Sequence, residues 1–397
     1  MTDKSKDGLD RKDFMIAAAA SVGVSAVLGA SAADANAQDA AASTTQDAPR
    51  GTVYTGDVIE GKRVVSGLDV NNLEPGKHSF YFQGVQMPTG QHWYVSVMVA
   101  KGTKTGKHIT LVSGVHGDEM SPVLTVQNVM RQLNPAEMSG TVMAVLDVSR
   151  PALEGMARRW PNSGRGIDLV DMNREWPGDE NGANAASRHA ALLFNKLLKP
   201  NSDYAIDFHC ATTGVDVTAF NLARMELPEV RAMAELYPID QIFDNPAYPT
   251  LLANAFINVG IPAFTPEIGA PRILDHAMIA LFVEGTMNVL KHHRVISGAI
   301  GRTGRDTGVF VGNSGHTILA THGGFVEILV KLNEKVQAGQ KVATQRNAFG
   351  EIVTEYTSGV TGEISGFRTD ATAEPGTPLV FIFYNETPRE DPVDYAE

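Results

Sequence analysis

Between residues 108 and 269, apolar runs of strand length alternate with segments of helical period, and no other feature constrains the fold as tightly. The run HITLVSGV is followed by SPVLTVQNVMRQL, in which Val123, Val126, Val129, Met130 and Leu133 fall on one helical face and Pro122 suits a first turn. GTVMAVLDV, the helical ANAASRHAALLFNKLL, SDYAIDFHC and IPAFTPEIG continue the pattern. Apolar runs without polar alternation belong to strands covered on both faces, so this region predicts an α/β sheet flanked by helices. In such sheets ligands bind outside the carboxyl ends of strands. His116 and Glu119, in VSGVHGDEMSP, stand directly behind the first run.

The flanks read differently. From Val53 to Ala100, short β-type runs such as WYVSVMVA alternate with turns. From Gly301 to Tyr384 no good helix is expected; Val and Gly with turns every eight to ten residues predict a small all-β module. Within it, VKLNEKVQAGQKVATQ looks like half of a biotinyl/lipoyl-type barrel. The hairpin tip RNAFGE lacks the lysine that such barrels modify, so no lipoylation or biotinylation is expected. The 397 residues thus divide into an export segment at 1–37, a small, polar linker at 38–52, an α/β domain at 53–298 and a β domain at 299–390. The export reading rests on Arg11 and Lys12 ahead of an Ala-rich apolar run and on ANA at 35–37, which resembles a twin-arginine signal with Lys12 at the second arginine position. It implies a periplasmic or secreted product. An uncleaved anchor or a tail is the alternative.

A net charge of −12 with no dense Lys/Arg block argues against nucleic acid and against an anionic membrane as partners of the mature chain. A homo-oligomer stays open. Cys210 is the only cysteine, which excludes an intramolecular disulfide and any multi-cysteine metal cluster. Any metal is therefore held mainly by His and carboxylate.

Chemistry concentrates at four places. His116 and Glu119 can face one ion from a turn, and His209, at the end of YAIDFH, adds the second imidazole of a two-His, one-carboxylate set that leaves a position for water. Taken singly, His209 also fits a hydrogen-bonded core histidine. Glu267, in TPEIG at another strand end, is a candidate base and acid, or a surface glutamate. DMNREW at 171–176 offers Arg174, whose planar fork suits a substrate carboxylate, and Asn173 as a further donor. Met156, Trp160 and Trp176 are candidates for an apolar acyl pocket or for core and loop packing.

HGDE, DMNR, DFH and PEIG, in that order, resemble the succinylglutamate desuccinylase/aspartoacylase family of the zinc carboxypeptidase clan, from about residue 60 to 385. The resemblance implies a zinc-carboxypeptidase-like mixed sheet flanked by helices, with a barrel-sandwich-like β domain appended. It implies one Zn²⁺ per chain on His116, Glu119 and His209, Glu267 as general base, Asn173 and Arg174 for the substrate carboxylate, and Asp171 as partner of His116. The family's Asn-Pro start is absent from SRPALEGMARRWP, and two arginines stand where one is usual. Counting from Glu154, Arg158 is the better match to the arginine that stabilises the oxyanion.

Three functions follow. The first is hydrolysis of an N-acyl amino acid by metal-activated water. The second is a periplasmic zinc carboxypeptidase acting on short peptides or cell-wall stem peptides. A β domain packed over the cleft favours the first, an open groove the second. The third is a non-catalytic binding protein, against which the pairing of a complete ligand set with a base speaks.

Overall fold

The computed structural model describes residues 51–162, 168–244 and 249–386. The expected export segment, all of the linker but residues 51–52, and residues 387–390 of the expected second domain lie outside the described residues.

The chain begins with β1 (Val53–Ile59), β2 (Lys62–Gly67), β3 (Gly76–Gln86), β4 (His92–Lys101), β5 (Lys104–Val112) and β6 (Ser139–Val145). A short hairpin of β7 (Trp160–Asn162) and β8 (Asp168–Val170) precedes β9 (Tyr204–Asp207), β10 (Val215–Val217), β11 (Ala219–Ala223), β12 (Gln241–Asp244), β13 (Ala263–Ile268) and β14 (Phe310–Gly312). One large sheet has the order β1-β2-β3-β4-β6-β5-β9-β13-β11-β12-β14. Its centre, β6-β5-β9-β13, is parallel, and the antiparallel pairs β4/β6 and β13/β11 make the sheet mixed.

Both faces of the centre are covered, as the unbroken apolar runs require. Leu111 packs in one cluster with Val126 of the helix Met120–Gln132 and Phe282 of the helix His276–His292. Its neighbour Val112 belongs to the opposite cluster, with Ala190 of the helix Ala185–Leu193 and Phe256 of the helix Leu252–Ile257. Successive side chains on a strand point to opposite faces, so adjacent residues must find different helices. The four central strands are thereby aligned with their carboxyl ends at one edge, where His116 and His209 follow β5 and β9.

The remainder is β-rich: β15 (Ser314–Leu319), β16 (Gly324–Ile328), β17 (Lys335–Val336), β18 (Lys341–Arg346), β19 (Ile352–Thr357), β20 (Gly362–Arg368), β21 (Thr372–Ala373) and β22 (Pro378–Tyr384). These form two sheets around a core that includes Val336, Val342, Ile364, Leu379 and Ile382.

Two details differ from the sequence expectation. The helical turn Gly304–Thr307 lies in the segment where no helix was expected; Thr303 and Asp306 close a capping box around its start, which local pairing explains without apolar periodicity. Nor does the chain separate cleanly at 298/299. β14 lies beyond that point yet extends the large sheet by pairing with β12, while β10 joins the C-terminal sheet by pairing with β20. A sheet edge carries unpaired N–H and C=O groups, and each layer uses a strand of the other to satisfy them. Side chains add to the joint: Gln241 donates to the Ile364 carbonyl at 3.2 Å, and Thr218 donates to Asn333 Oδ1 at 2.6 Å.

Candidate metal and substrate site

Glu119 occupies the position just before the helix Met120–Gln132, where a carboxylate ordinarily caps free N–H groups, yet it makes no capping bond. Its side chain turns into the interior, only 1% of the residue remaining exposed. Oε1 lies 2.7 Å from His116 Nδ1 and accepts from Arg158 at 2.9 Å. Oε2 lies 2.9 Å from His209 Nδ1 and accepts from the Cys210 backbone N–H at 3.2 Å. The two imidazoles face each other, Nδ1 to Nδ1, at 3.1 Å.

Their outer nitrogens are held by acids. His116 Nε2 lies 2.9 Å from Asp171 Oδ1, and His209 Nε2 lies 3.0 Å from Asp207 Oδ2. With the Nε2–H groups donating outward, both Nδ1 lone pairs point at one spot between the rings and Glu119. Two facing lone pairs beside a carboxylate need a proton or a cation between them. The ligand atoms of His116, Glu119 and His209 all lie within 4.8 Å of one another, so the group can hold a metal ion. Imidazole nitrogens backed by carboxylates are the usual donors of such a centre.

The electrostatics agree. Burial alone would raise the Glu119 carboxyl, but the two imidazoles hold it well below the usual carboxylate range. Asp171 is likewise held low against burial by His116 and Arg158. His209 is raised well above the ordinary imidazole value, since Asp207 and Glu119 outweigh its burial. The proton it holds is the one that a metal ion would displace.

Glu267 reaches the same cavity from β13. It forms a parallel bridge with His209, the His209 N–H donating to the Pro266 carbonyl at 2.8 Å, so the two residues are neighbours across adjacent chains of the sheet. Burial pushes its carboxyl up to about 8, with Glu119 also raising it and His209 and Arg158 opposing. Arg158 lines the cavity and Arg159 does not; besides Glu119, Arg158 reaches Asp171 Oδ2 at 3.8 Å.

Asn173 and Arg174 come from the helical turn Met172–Arg174, whose first free N–H groups are met by Asp171. Both line the cavity. Asn173 is nevertheless partly committed: its Oδ1 accepts from the Leu252 N–H at 3.0 Å and its Nδ2 sits 3.2 Å from His209. Arg174 donates to the Asn173 carbonyl at 2.8 Å. All eight site residues expected from sequence therefore converge here. The acyl-pocket candidates do not: Trp160 and Trp176 are buried in the core with Val112 and Ala190, and Met156 is 57% exposed. The cavity's apolar wall comes instead from Phe220, Leu222 and Phe243 together with Phe381 and Phe383.

Two positioning residues escaped the sequence reading. Asp207 stands two residues before His209, and alternation on a strand places both on one face, a signal that was present. Asp118 accepts from the Thr213 N–H at 3.0 Å and its hydroxyl at 2.7 Å, tying the turn that carries His116 to the loop after His209. Nothing local in the sequence marks that contact.

Comparison with known proteins gives one family. Residues 105–293 match the succinylglutamate desuccinylase/aspartoacylase catalytic domain. A curated relative, N-alpha-acetyl-L-2,4-diaminobutyric acid deacetylase of Halomonas elongata, is 23% identical over 290 residues, covering 70% of this chain and 82% of that protein. The fold is shared with a succinylglutamate desuccinylase/aspartoacylase from Rhodobacter sphaeroides (TM-score 0.68, 22% identity, 79% of this chain and 97% of that one). It is shared too with the product-bound ectoine utilization protein EutE (DoeB) from Ruegeria pomeroyi (TM-score 0.68, 18% identity, 79% and 96%). The motifs HGDE, DMNR, DFH and PEIG, in that order, all fall within residues 105–293, the segment that matches the succinylglutamate desuccinylase/aspartoacylase catalytic domain, and converge on one cavity.

Proposed function

We propose that the protein is a zinc-dependent hydrolase that cleaves the amide bond of an N-acyl amino acid, and that it acts after export, as residues 1–37 suggest. The observation that carries this reading is the meeting, in one cavity, of the His116/Glu119/His209 group with a raised carboxyl, Glu267, and two arginines. A binding protein has no need of a base beside a metal centre. The curated relative's deacetylase activity supports the same class.

His116, Glu119 and His209 would hold one Zn²⁺, which when bound acts as a Lewis acid on the amide carbonyl and on water. Asp171 and Asp207 fix the imidazole tautomers by accepting from Nε2–H. Glu267 takes a proton from water as its oxygen bonds to the amide carbon, then delivers that proton to the nitrogen as the C–N bond breaks, yielding a carboxylic acid and an amine. Burial raises the Glu267 carboxyl, which suits it to return the proton, and a cation held by the neighbouring ligands would lower it again and so favour the carboxylate that accepts the proton first. Arg158, already directed at Glu119 Oε1, is placed to meet the developing oxyanion. Arg174 holds the substrate carboxylate and so fixes the amide over the base.

The carboxypeptidase reading calls for an open groove. Here Ser365, Phe381 and Phe383 of the C-terminal sheet form part of the cavity wall, which favours a small acyl amino acid over a peptide. The test is amine release from N-acyl amino acids and from short peptides by the zinc-loaded chain and by Glu267→Gln. We expect release from acyl amino acids, and a fall in kcat of roughly 10²- to 10⁴-fold in the variant with zinc retained. Unchanged kcat in Glu267→Gln, or release confined to peptide C-termini, would overturn the proposal.

A further inference from the structure

The cavity has two chemically different ends. Its charged side chains, among the described residues, are His116, Glu119, Arg158, His209 and Glu267 around the metal group, and Arg174 on the adjoining turn. Moving across the sheet from Glu267, the wall becomes apolar within one strand. Phe220 on β11 is the antiparallel partner of Glu267, and Leu222 is the partner of Thr265, so their side chains share the face that carries the base. On the next strand Phe243 is the parallel partner of Leu222. Phe383 of β22 closes over this row, stacked on Phe243 at 4.4 Å between ring centroids and edge-on to Phe220 at 5.2 Å. Val217 on β10, partly buried, borders the same space.

Strands are spaced about 4.8 Å apart, so this aromatic chamber begins about one strand spacing from the scissile bond that Glu267 would serve. A carboxylate or ammonium there would lose its hydration and meet no charged partner among the described lining residues. Phe381 and Phe383 lie outside the segment matched to the catalytic domain, whereas Val217, Phe220, Leu222 and Phe243 lie inside it, so the C-terminal strands complete a wall that the catalytic segment begins.

Resting on the hydrolase reading above, we propose that the substrate is an N-acyl amino acid with two unlike limbs: one aliphatic or aromatic, lying against the apolar wall formed by Phe220, Leu222 and the stacked Phe243–Phe383 pair, and one carrying the carboxylate held at Arg174. Substrates charged on both limbs, such as a succinyl amino acid, and cationic ones, such as an acetylated diaminobutyrate, are disfavoured by the same wall.

The experiment compares acetyl, hexanoyl, benzoyl and succinyl derivatives of one amino acid, with N-acetylphenylalanine and N-acetyl-2,4-diaminobutyrate probing the other limb, on the zinc-loaded full chain. An apolar limb on one side or the other should raise kcat/KM at least about tenfold over the acetyl, succinyl and diaminobutyrate compounds. Binding of hexanoate, phenylpropionate and succinate, followed by calorimetry, gives a readout independent of turnover. Tighter binding of the apolar acids with no amide cleaved would keep the chamber and discard the hydrolase. Amide cleavage that prefers succinyl or diaminobutyrate substrates, or tighter binding of succinate, would discard the chamber and keep the hydrolase. Val217→Lys, which places a cation at the border of the chamber, should move the hexanoyl-to-succinyl ratio at least about tenfold toward succinyl. Phe220→Ala should lower the hexanoyl-to-acetyl ratio. Two folded variants with the wild-type ratios would also overturn the proposal.

Discussion

Gly117 sits between His116 and Glu119 and touches no ligand, yet replacing it with alanine should disable the site. A Cβ at Gly117 would fall 2.0 Å from the Ala152 carbonyl carbon, 2.2 Å from its oxygen and 2.3 Å from the Leu153 nitrogen. All three are backbone atoms and cannot swing aside. Ordinary contact begins near 3.4 Å, so the turn or the facing helix Arg150–Glu154 must move by about 1 Å or more to relieve the overlap. Metal–ligand distances tolerate only about 0.2 Å, and displacement of about 1 Å in a catalytic array costs on the order of 10²-fold in rate. We expect Gly117→Ala to lose at least about 10²-fold in zinc affinity and in kcat/KM, together with roughly 1–3 kcal/mol of stability from overpacking. Zinc content after dialysis, amine release and urea unfolding measure the three. Gly155→Ala is the control, because its Cβ would lie 3.6 Å from its nearest neighbours, the carbonyl oxygens of Ala152 and Pro151. Full zinc occupancy and wild-type turnover in Gly117→Ala would refute the steric argument.

Other consequences are independent of that turn. Asp207→Ala should weaken zinc binding by about 10- to 100-fold by releasing His209 Nε2, as read by competition with a chromophoric chelator; unchanged affinity would remove Asp207 from the site. Zinc at about 100 times its Kd should stabilise the fold by roughly 2.7 kcal/mol in urea unfolding, and the gain should vanish in His116→Ala. His189 is fully buried, takes the Val85 N–H on Nδ1 and lies 2.9 Å from the Val148 carbonyl through Nε2, and burial lowers its pKa to about 4. Its folded value is below the unfolded one, so the neutral ring stabilises the fold fully above about 6.5 and loses that contribution as pH falls toward 4. The loss amounts to about 3 kcal/mol. Unfolding free energies at pH 7.5 and 4.5 should converge between wild type and His189→Gln at the acid end; a constant difference would contradict this.

The local sequence determined the catalytic frame. Unbroken apolar runs require strands covered on both faces, and the helical periods between them supply the cover, so Leu111 and Val112 were bound to face different helices. Parallel strands gather their carboxyl ends at one edge, which is why His116, Glu119, His209 and Glu267 are legible as one group in the sequence itself. The period of two in DFH likewise contains the pairing of Asp207 with His209. Tertiary structure alone decided the rest. That Arg158 and not Arg159 enters the cavity depends on how the chain leaves the helix Arg150–Glu154, and nothing in a pair of identical side chains distinguishes them. Hydrogen-bonding groups at a sheet edge accept any strand in register, and so the pairing of β14 with β12 and of β10 with β20 across the two layers had no local sign. For the same reason the aromatic wall of the cavity was invisible: Phe220 and Phe383 are brought together by the pairing of β10 with β20, of β20 with β22 and of β15 with β22, and aromatic residues so far apart in the chain carry no local sign that they share a wall.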